Sequence, residues 1–365
     1  MKKFNYAPRD ITKAINIGIV GMGQIGASLA RALRYGNPDI NIIGVDKDES
    51  VLEYAFTEGI IQLGNANMKI LRGTTVVFVA APQAETAALI NEVYSVVKHD
   101  AVITDTAGLK EPILSALPVG IRYVGGHPFA GSVAAGILQS KRHLFEGAYY
   151  VLTSDRAKGG DTAEVAELVR HAGAIPVEMT AAAHDAVIGG ITQTPALAAF
   201  AVYAGVDGAS GGVERFMAAD FLKKAALGSI DAASFAKGLT DNGKYTVAAL
   251  DDLILRLGQA RKLIIDSDAD GLRVFIAEAA AHVGTDAGAA KPKFGTDSLT
   301  VDAPSAPGAL NRITGILAKR KINIKTVSIA PVREGAIGAL KLEFDSEDDC
   351  ELARALLKKK KVRVC

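Results

Sequence analysis

One histidine in this sequence has surroundings that suit proton transfer. His127 lies in the segment GGHPFAG directly after a short apolar run, and Pro128 disfavours helical backbone at the residue before it. An imidazole titrates near neutral pH, so it can accept a hydroxyl proton while the neighbouring carbon gives a hydride to a redox cofactor. A structural histidine held in a turn would show the same pattern, and both roles stay open at this point.

A glycine-rich segment, GMGQIG, provides a matching cofactor signal because it follows the apolar run INIGIV and begins a helical pattern. Such glycines allow a tight turn, close approach of a pyrophosphate, and close packing of helix on strand. Asp46 ends the next apolar run and can accept hydrogen bonds from an adenosine ribose. The pattern predicts a site that prefers NAD to NADP, although Lys47 would offset part of the repulsion of a 2′-phosphate. The candidate residues in the segment are Gly21, Met22, Gly23, Gln24, Ile25 and Gly26.

Two further segments follow apolar runs and are candidates for the reacting end of the site. Ala81 and Pro82 follow the run at 76–80, where a small residue would let a nicotinamide lie close. Thr106 and Gly108 belong to the segment DTAGLK, which follows the run at 101–105. Ligands bind at the carboxyl ends of parallel strands, so we expect these segments to lie near His127.

The elements that must position these residues form an α/β domain over residues 1–180. Short β-branched runs alternate there with amphipathic stretches, which predicts a Rossmann-like doubly wound parallel sheet with helices on both faces. The predicted strands are 15–20, 42–46, 76–80, 101–105, 122–124, 149–153 and 174–178. The clearest predicted helices are 24–34, 49–57 and 162–171.

Two further domains are predicted after this sheet. Residues 181–281 carry helical patterns only and indicate a substrate and dimerisation domain, and residues 282–297 have the composition of a linker. Residues 298–365 show the order βαββαβ. The apolar stretch 186–206 is long enough to cross a membrane, but it contains Gln193 and Pro195, and the sequence has no second candidate span. A helix buried in a domain or dimer core is the better interpretation.

The composition excludes several classes of function. With 41 basic and 40 acidic residues the net charge is +1, so no overall field attracts nucleic acid or a membrane surface. Cys350 and Cys365 form no CxxC pair, and the six histidines lack HExxH spacing, so neither a disulfide framework nor a metal site is expected. The N-terminus has no apolar segment typical of a signal peptide, and we expect a cytoplasmic protein.

Several motifs together resemble the prephenate/arogenate dehydrogenase family of tyrosine biosynthesis. They are GMGQIG, VDKD, DTAGLK, GGHPFAG, LFEGAYYVLT and AAHDAVIGGITQTPA, and they extend over residues 15 to about 205. The resemblance implies NAD-dependent oxidative decarboxylation, in which His127 accepts the proton of the ring C4 hydroxyl and a hydride leaves C4 for NAD. Loss of carbon dioxide then makes the ring aromatic. Prephenate would give 4-hydroxyphenylpyruvate, and arogenate would give tyrosine.

The sequence departs from the family at residues that would contact substrate. Gly108 stands where the family commonly has a serine, and Thr106 could supply the missing hydroxyl. Gln193 lies in TQTPA, where bacterial members often read SHLPH, and it is similar to the Ser-Gln of plant arogenate enzymes. His184 is retained and could touch substrate, orient the domain junction or make a structural hydrogen bond.

The resemblance also implies a helical-domain cation that holds a substrate carboxylate. The candidates are Arg215, Lys223 and Lys224, and we predict Arg215 and Lys224. Arginine offers the better bidentate geometry for a carboxylate. Asn242 lies in a stretch that is weakly similar to one containing a family asparagine.

The tail resembles an ACT domain, a regulatory module that binds small ligands and usually pairs with another copy. This implies a homodimer, with tyrosine as the natural effector, although a purely structural dimerisation module is the alternative. The candidate effector-binding residues are Asp302, Gly308, Ala309, Leu310 and Asn323.

Two other functions are compatible with parts of this pattern. A non-catalytic sensor that binds NAD and an amino acid would explain the missing serine and histidines. A β-hydroxyacid-type dehydrogenase of the same architecture would use a helical-domain lysine such as Lys223 or Lys224, and the GGHPFAG segment argues against it.

Overall fold

The structure is a computed structural model that describes residues 15–130, 135–204, 231–285, 298–304, 307–330, 337–360, 362 and 364. The chain divides into two compact units, residues 1–257 and 258–365.

Eight strands of the first unit form one sheet flanked by helices. The strands are β1 (Ile15–Val20), β2 (Ile40–Val45), β3 (Leu63–Gly64), β4 (Val76–Val79), β5 (Val102–Asp105), β6 (Tyr123–Pro128), β7 (Tyr149–Arg156) and β8 (Ile175–Met179). The helices are α1 (Gln24–Gly36), α2 (Glu49–Thr57), α3 (Gln83–Val96), α4 (Glu111–Ala116) and α5 (Asp161–His171). The spatial order is β3-β2-β1-β4-β5-β6-β7-β8, so the crevice at the strand order reversal lies between β1 and β4.

The predicted Rossmann-like class is confirmed, with one difference in strand direction. Neighbouring strands from β3 to β6 run parallel, but β6 pairs antiparallel with β7. The connection between them contains only a short 3₁₀ turn, Ile137–Gln139, among its described residues. Without a crossover helix, the chain returns in the opposite direction. His127 therefore lies within β6, opposite Val151, and not in a loop after a strand that ends at residue 124 as the sequence indicated.

Alternating side chains of the central strands fill the two sides of this sheet. On β1, Ile17 and Ile19 pack with α1 and α5, while Val77 and Val79 of β4 belong to the cluster on the other face. All four side chains are buried. Burial on both faces is what parallel strands covered by helices require, and it fixes the strand ends that carry the site.

Among the described residues from 181 to 285, only helices follow the sheet. They are α6 (Ala181–Ile188), α7 (Thr194–Ala204), α8 (Ala232–Asp241), α9 (Gly243–Ile265) and α10 (Ala269–Thr285). A π turn, Gly189–Gln193, joins α6 to α7. Because α10 continues to Thr285, the predicted linker 282–297 begins four residues too early, and its remaining residues lie outside the described part of the chain.

The apolar stretch noted in the sequence is one helical run in the structure. Among the described residues, Ala181–Val202 is the one run that is long and apolar enough to cross a membrane, and only a third of it is buried. Its first helix, α6, packs against α4 and β7. His184 and Asp185 in that helix are fully buried and hydrogen-bonded to the sheet domain. These contacts hold the start of the run against the sheet domain, whereas the predicted burial in a domain core is not found, because two thirds of the run is not buried within this chain.

The C-terminal part of the second unit is a small antiparallel sheet with two helices. Its elements are β9 (Ser298–Pro304), α11 (Ala309–Ala318), β10 (Thr326–Ala330), β11 (Ile337–Glu343) and α12 (Glu347–Lys359). The strand order is β10-β11-β9. In place of the predicted final strand, Val364 makes a single bridge to Val301. The predicted turn REG, residues 333–335, lies outside the described residues.

Candidate active site

The two glycines before His127 let β6 lie unusually close to its neighbours. A Cβ atom on Gly126 would lie 2.3 Å from the carbonyl oxygen of Asp105, and one on Gly125 would lie 2.2 Å from Thr153 Oγ1. No side chain other than hydrogen fits at either position. The ring of His127 is half-buried and lies 4.7 Å, centroid to centroid, from the ring of Phe129. The GGH sequence is therefore explained by packing around the histidine.

A buried ion pair lies beneath this strand. Lys110 Nζ is 2.6 Å from Asp105 Oδ2 and 2.6 Å from the carbonyl oxygen of Gly126, and both charged side chains are fully buried. The other carboxylate oxygen of Asp105 accepts hydrogen bonds from the Tyr123 hydroxyl at 2.8 Å and the Gly126 N–H at 2.9 Å. Burial lowers the pKa of Lys110, and the neighbouring Asp105 partly opposes that shift.

The site residues predicted from the sequence lie in the middle of the DTAGLK segment, whereas Asp105 and Lys110 at its two ends were missed. The available signal was an acid at the carboxyl end of a buried strand, followed five residues later by a lysine beside a short helix. Nothing in the sequence alone showed that the lysine side chain turns inward under His127.

A second histidine lies directly behind His127. His127 Nδ1 is 2.8 Å from His184 Nε2, and His184 Nδ1 is 2.7 Å from Asp185 Oδ1. The Asp185 carboxylate also accepts hydrogen bonds from the backbone N–H groups of Lys110 at 2.9 Å and Glu111 at 2.8 Å. His184 is fully buried and contacts the candidate base, and its contact with substrate stays a prediction.

The surroundings of His127 favour its neutral form. Burial lowers the pKa of His127 well below its ordinary value, and the neighbouring Lys110 and His184 lower it further. A neutral imidazole is the form that can accept a proton.

Gln193 lies in a buried polar cluster of the helical region. Its Oε1 accepts hydrogen bonds from Asn242 Nδ2 at 2.7 Å and Thr246 Oγ1 at 2.6 Å, and its Nε2 donates to the carbonyl oxygen of Gly238 at 2.9 Å. Asn242 Nδ2 also donates to the carbonyl oxygen of Asp185 at 2.9 Å. The prediction that Gln193 contacts substrate is not supported, because these helices already use its amide.

Two glycines of the loop have no room for a side chain, and a third faces open space. Gly21 has φ +89°, and a Cβ there would lie 2.3 Å from the carbonyl oxygen of Ala80. A Cβ on Gly26 would lie 1.9 Å from the carbonyl oxygen of Gly21. At Gly23, which precedes α1, a Cβ would meet no atom within 4 Å. This leaves open space at the N-terminus of α1, where a pyrophosphate can approach the backbone.

The acidic residue at the end of β2 is fixed by the same loop. Asp46 Oδ2 accepts a hydrogen bond from the Met22 N–H at 2.8 Å, and Oδ1 accepts one from the Asp48 N–H at 3.0 Å. Lys47 is exposed, and its Nζ lies 3.8 Å from Glu85 Oε2. Asp46 is therefore positioned beside the glycine loop, with an exposed neighbouring cation that has a partner of its own.

The two remaining candidate segments lie at neighbouring strand ends. Ala81 and Pro82 follow β4, and Gln83 then bonds both backbone groups of Leu109, accepting from its N–H at 2.9 Å and donating to its oxygen at 3.2 Å. These two hydrogen bonds join the loop after β4 to the loop after β5. Within the latter, Thr106 and Gly108 are half-buried, and a Cβ on Gly108 would meet no atom within 4 Å.

The structure describes only some of the other predicted contacts. Arg215, Lys223 and Lys224 lie outside the described residues. In the small C-terminal sheet domain, Gly308 has φ +83° and precedes α11, and Asn323 Nδ2 donates to Asp345 Oδ2 at 3.0 Å. Two further effector candidates, Ala309 and Leu310, begin α11, and Asp302 lies on β9 opposite Ala339.

Comparison with known proteins agrees with this geometry. Residues 29–178 match the model of the prephenate dehydrogenase nucleotide-binding domain, and residues 299–362 match the ACT domain of the acetohydroxyacid synthase small-subunit type. A prephenate dehydrogenase from Bacillus subtilis is 28% identical over 344 residues, which cover 91% of this chain and 92% of that protein. Over nearly its whole length, the chain is therefore similar to prephenate dehydrogenases.

Further prephenate dehydrogenases extend the comparison. The Lactococcus lactis prephenate dehydrogenase is 26% identical and covers 93% of this chain and 97% of its own length. The structure of the Aquifex aeolicus prephenate dehydrogenase superposes with a TM-score of 0.67, at 22% identity, over 75% of this chain and 98% of that one. The relatives support a dehydrogenase, and the structural likeness confirms the fold.

Proposed function

We propose that this protein catalyses the NAD-dependent oxidative decarboxylation of prephenate, or of arogenate, with His127 as the base. The observation that carries the proposal is the position of His127. It lies on β6 beside β5, is held by His184, and has a pKa low enough to be neutral at physiological pH. A neutral imidazole in this place is equipped to accept a hydroxyl proton.

The residues of the glycine loop fit NAD. The open space at Gly23 would take the pyrophosphate, while Gly21 and Gly26 keep the loop compact. Asp46 would accept hydrogen bonds from the adenosine ribose and disfavour the 2′-phosphate of NADP. The solved Aquifex aeolicus enzyme holds NAD⁺ and hydroxyphenyl propionate. When bound, NAD supplies the hydride acceptor for the oxidation.

His127 would form a hydrogen bond to the C4 hydroxyl of the ring and accept its proton as C4 is oxidised. The ring carboxylate then leaves as carbon dioxide, and its bonding electrons complete the aromatic ring. Lys110 and Asp105 lie buried beneath His127 and hold β6 in place, and the charge of Lys110 disfavours a positive charge on the imidazole. The base is thereby ready for the proton before substrate binds.

Thr106 and Gly108 are the described residues that we propose to line the substrate position. They lie at the carboxyl end of β5, and a Cβ on Gly108 would meet open space, at the position where the resemblance implies a serine. Among the helical-domain cations, we propose Arg215 or Lys224 as the partner of a substrate carboxylate, since a guanidinium or ammonium would neutralise it.

The function is tested by measuring NADH formation with prephenate and arogenate side by side. Turnover of either substrate supports the proposal, and the ratio of the two kcat/KM values identifies the preferred one. Binding of NAD without turnover of either substrate would instead indicate the non-catalytic sensor.

We propose that tyrosine binds the ACT domain and inhibits the enzyme. Gly308 has a left-handed backbone and precedes α11, whose first backbone N–H groups can bind an amino acid, and Asn323 lies between α11 and β10. Asn323→Ala is expected to weaken tyrosine binding about tenfold while kcat without tyrosine is unchanged. Lys358→Ala, at the exposed end of α12, is the control, and titration calorimetry measures both.

We propose a homodimer that forms through the helical domain. Among the described residues of α9, only Thr246 is buried, although Ile254, Leu255 and Leu257 are apolar and exposed. A face of this kind needs a partner. Leu255→Glu is expected to give a monomer in light scattering, whereas Gln259→Glu, which adds the same charge to an exposed position on that helix, leaves the dimer intact.

We propose that the reaction takes place in the cytoplasm. The sequence has two cysteines and no CxxC pair, which suits a reducing compartment. Detection of the protein in a membrane fraction would contradict this assignment.

A further inference from the structure

The contact between the two histidines raises the question of which nitrogen carries the proton. His127 Nδ1 and His184 Nε2 are 2.8 Å apart, so one donates and the other accepts. The two rings meet edge to face, with centroids 5.0 Å apart. The direction of this one hydrogen bond decides which nitrogen of His127 has a free lone pair.

Asp185 determines that direction. Its carboxylate oxygens accept from the backbone N–H groups of Lys110 and Glu111, and Asp185 Oδ1 is 2.7 Å from His184 Nδ1. A carboxylate only accepts, so the proton of neutral His184 lies on Nδ1 and its Nε2 has the lone pair. His127 Nδ1–H therefore donates to His184, and Nε2 of His127 is left unprotonated.

Burial keeps this arrangement in place. His184 and Asp185 are both fully buried, and no water-exposed orientation competes for their hydrogen bonds. Both residues come from the first helix after the sheet domain, while His127 comes from β6. The packing of α6 against β7 and α4 thus fixes the orientation of the imidazole on the strand.

We infer that His184 and Asp185 are positioning residues that hold His127 as the Nδ1–H tautomer, with Nε2 ready to accept the proton of the substrate hydroxyl. The inference rests on the proposed function, because it takes His127 to be the base. When the hydroxyl O–H bond breaks, its proton binds Nε2 of His127. The Nδ1 proton can then move to His184 Nε2, so that the positive charge lies on His184 beside the Asp185 carboxylate.

This role differs from substrate binding and from simple packing. A fully buried His184 does not contact substrate, so its loss leaves KM values nearly unchanged and lowers kcat. A residue that only packs would leave the tautomer of His127 unchanged. The tautomer is therefore the property that separates a positioning role from a structural one.

The test is ¹⁵N NMR of the full-length protein labelled at histidine, recorded without substrate. The nitrogen shifts report which ring nitrogen carries the proton, and spectra of His127→Asn and His184→Gln assign the two residues among the six histidines. The expected result is a proton on Nδ1 of both His127 and His184. A proton on Nε2 of His127 in the wild-type protein would overturn the inference, whether or not any variant folds.

Variants at His184 provide the kinetic counterpart. His184→Leu removes the acceptor, so His127 should shift towards the Nε2–H tautomer and kcat should fall about 10²-fold, with the NAD affinity unchanged. His184→Gln offers an amide oxygen to the same Nδ1–H and should recover most of that loss. His99→Gln, at an exposed histidine, is the control.

Two outcomes separate this inference from the proposed function. Unchanged tautomer and kcat in His184→Leu would refute the positioning role while leaving the dehydrogenase assignment intact. Absence of turnover in the wild-type protein would refute the proposed function, and the NMR experiment would still decide the orientation of the two rings.

Discussion

Lys110 Nζ lies 2.6 Å from Asp105 Oδ2, and neither side chain is exposed to solvent. Both charged groups are buried away from water, so their mutual attraction and their hydrogen bonds to Gly126 must compensate for the lost hydration. The pair lies directly beneath the strand that carries His127 and is hydrogen-bonded to its backbone at Gly126.

Removing one member of this pair should be costly. Lys110→Met would leave the Asp105 carboxylate buried without its cation, and we expect the free energy of unfolding to fall by about 3–5 kcal/mol. Urea denaturation measures the loss. Lys98→Met, at an exposed lysine, should change it by less than about 0.5 kcal/mol. An unfolding free energy for Lys110→Met close to wild type would show that the buried pair adds nothing to stability.

Substitution of the candidate base should separate chemistry from cofactor binding. His127→Asn is expected to lower kcat by about 10²–10⁴-fold, because an amide does not accept the proton. NADH affinity, measured by fluorescence titration, should change little, since the glycine loop is intact. His143→Asn, at an exposed position, serves as the control. Wild-type turnover in His127→Asn would rule out this histidine as the base.

The pH dependence of kcat/KM should reflect the low pKa of His127. Burial, Lys110 and His184 all lower that pKa below its ordinary value near 6.5. The base acts in its neutral form, so activity is retained above the pKa and lost as the pH falls through it. We expect kcat/KM to be constant as the pH is lowered from 7 to 6.5 and to decline only below that range. A decline centred at or above 6.5 would contradict the assignment.

The glycine loop predicts opposite effects at two of its positions. Gly26→Ala places a methyl group 1.9 Å from the Gly21 oxygen, and overpacking of this kind should cost about 1–3 kcal/mol of stability. Gly23→Ser meets open space and suits the residue before a helix, so stability should be retained. The new side chain would occupy the pyrophosphate position, and NADH affinity should fall about tenfold or more. Thermal melts and NADH titrations of both variants test the contrast.

Local patterns predicted much of this architecture. β1 and α2 have the bounds that the sequence indicated, because apolar alternation and an aspartate cap are properties of consecutive residues. The glycine loop was predictable for the same reason. The second unit was predicted in order, although its last strand is reduced to one bridge.

The parts that were missed depend on contacts between distant residues. The inward turn of Lys110, the contact of His184 with His127 and the polar cluster around Gln193 each join separate elements. The spacing of residues in the sequence gives no information about which side chains of separate elements meet in the protein interior. The reversed direction of β7 likewise follows from a missing crossover helix, while the length of its connection was compatible with either direction.

Helix α6 is hydrogen-bonded both to the sheet domain and to the helices that follow it. The Asp185 carboxylate accepts from the backbone of Lys110 and Glu111, and the Asp185 carbonyl oxygen accepts from Asn242. Separation of the nucleotide-binding sheet from the described helices up to residue 257 would break these hydrogen bonds. On heating, residues 15–257 should therefore melt as one cooperative body, in a single transition shared by two regions that the sequence presents as separate domains.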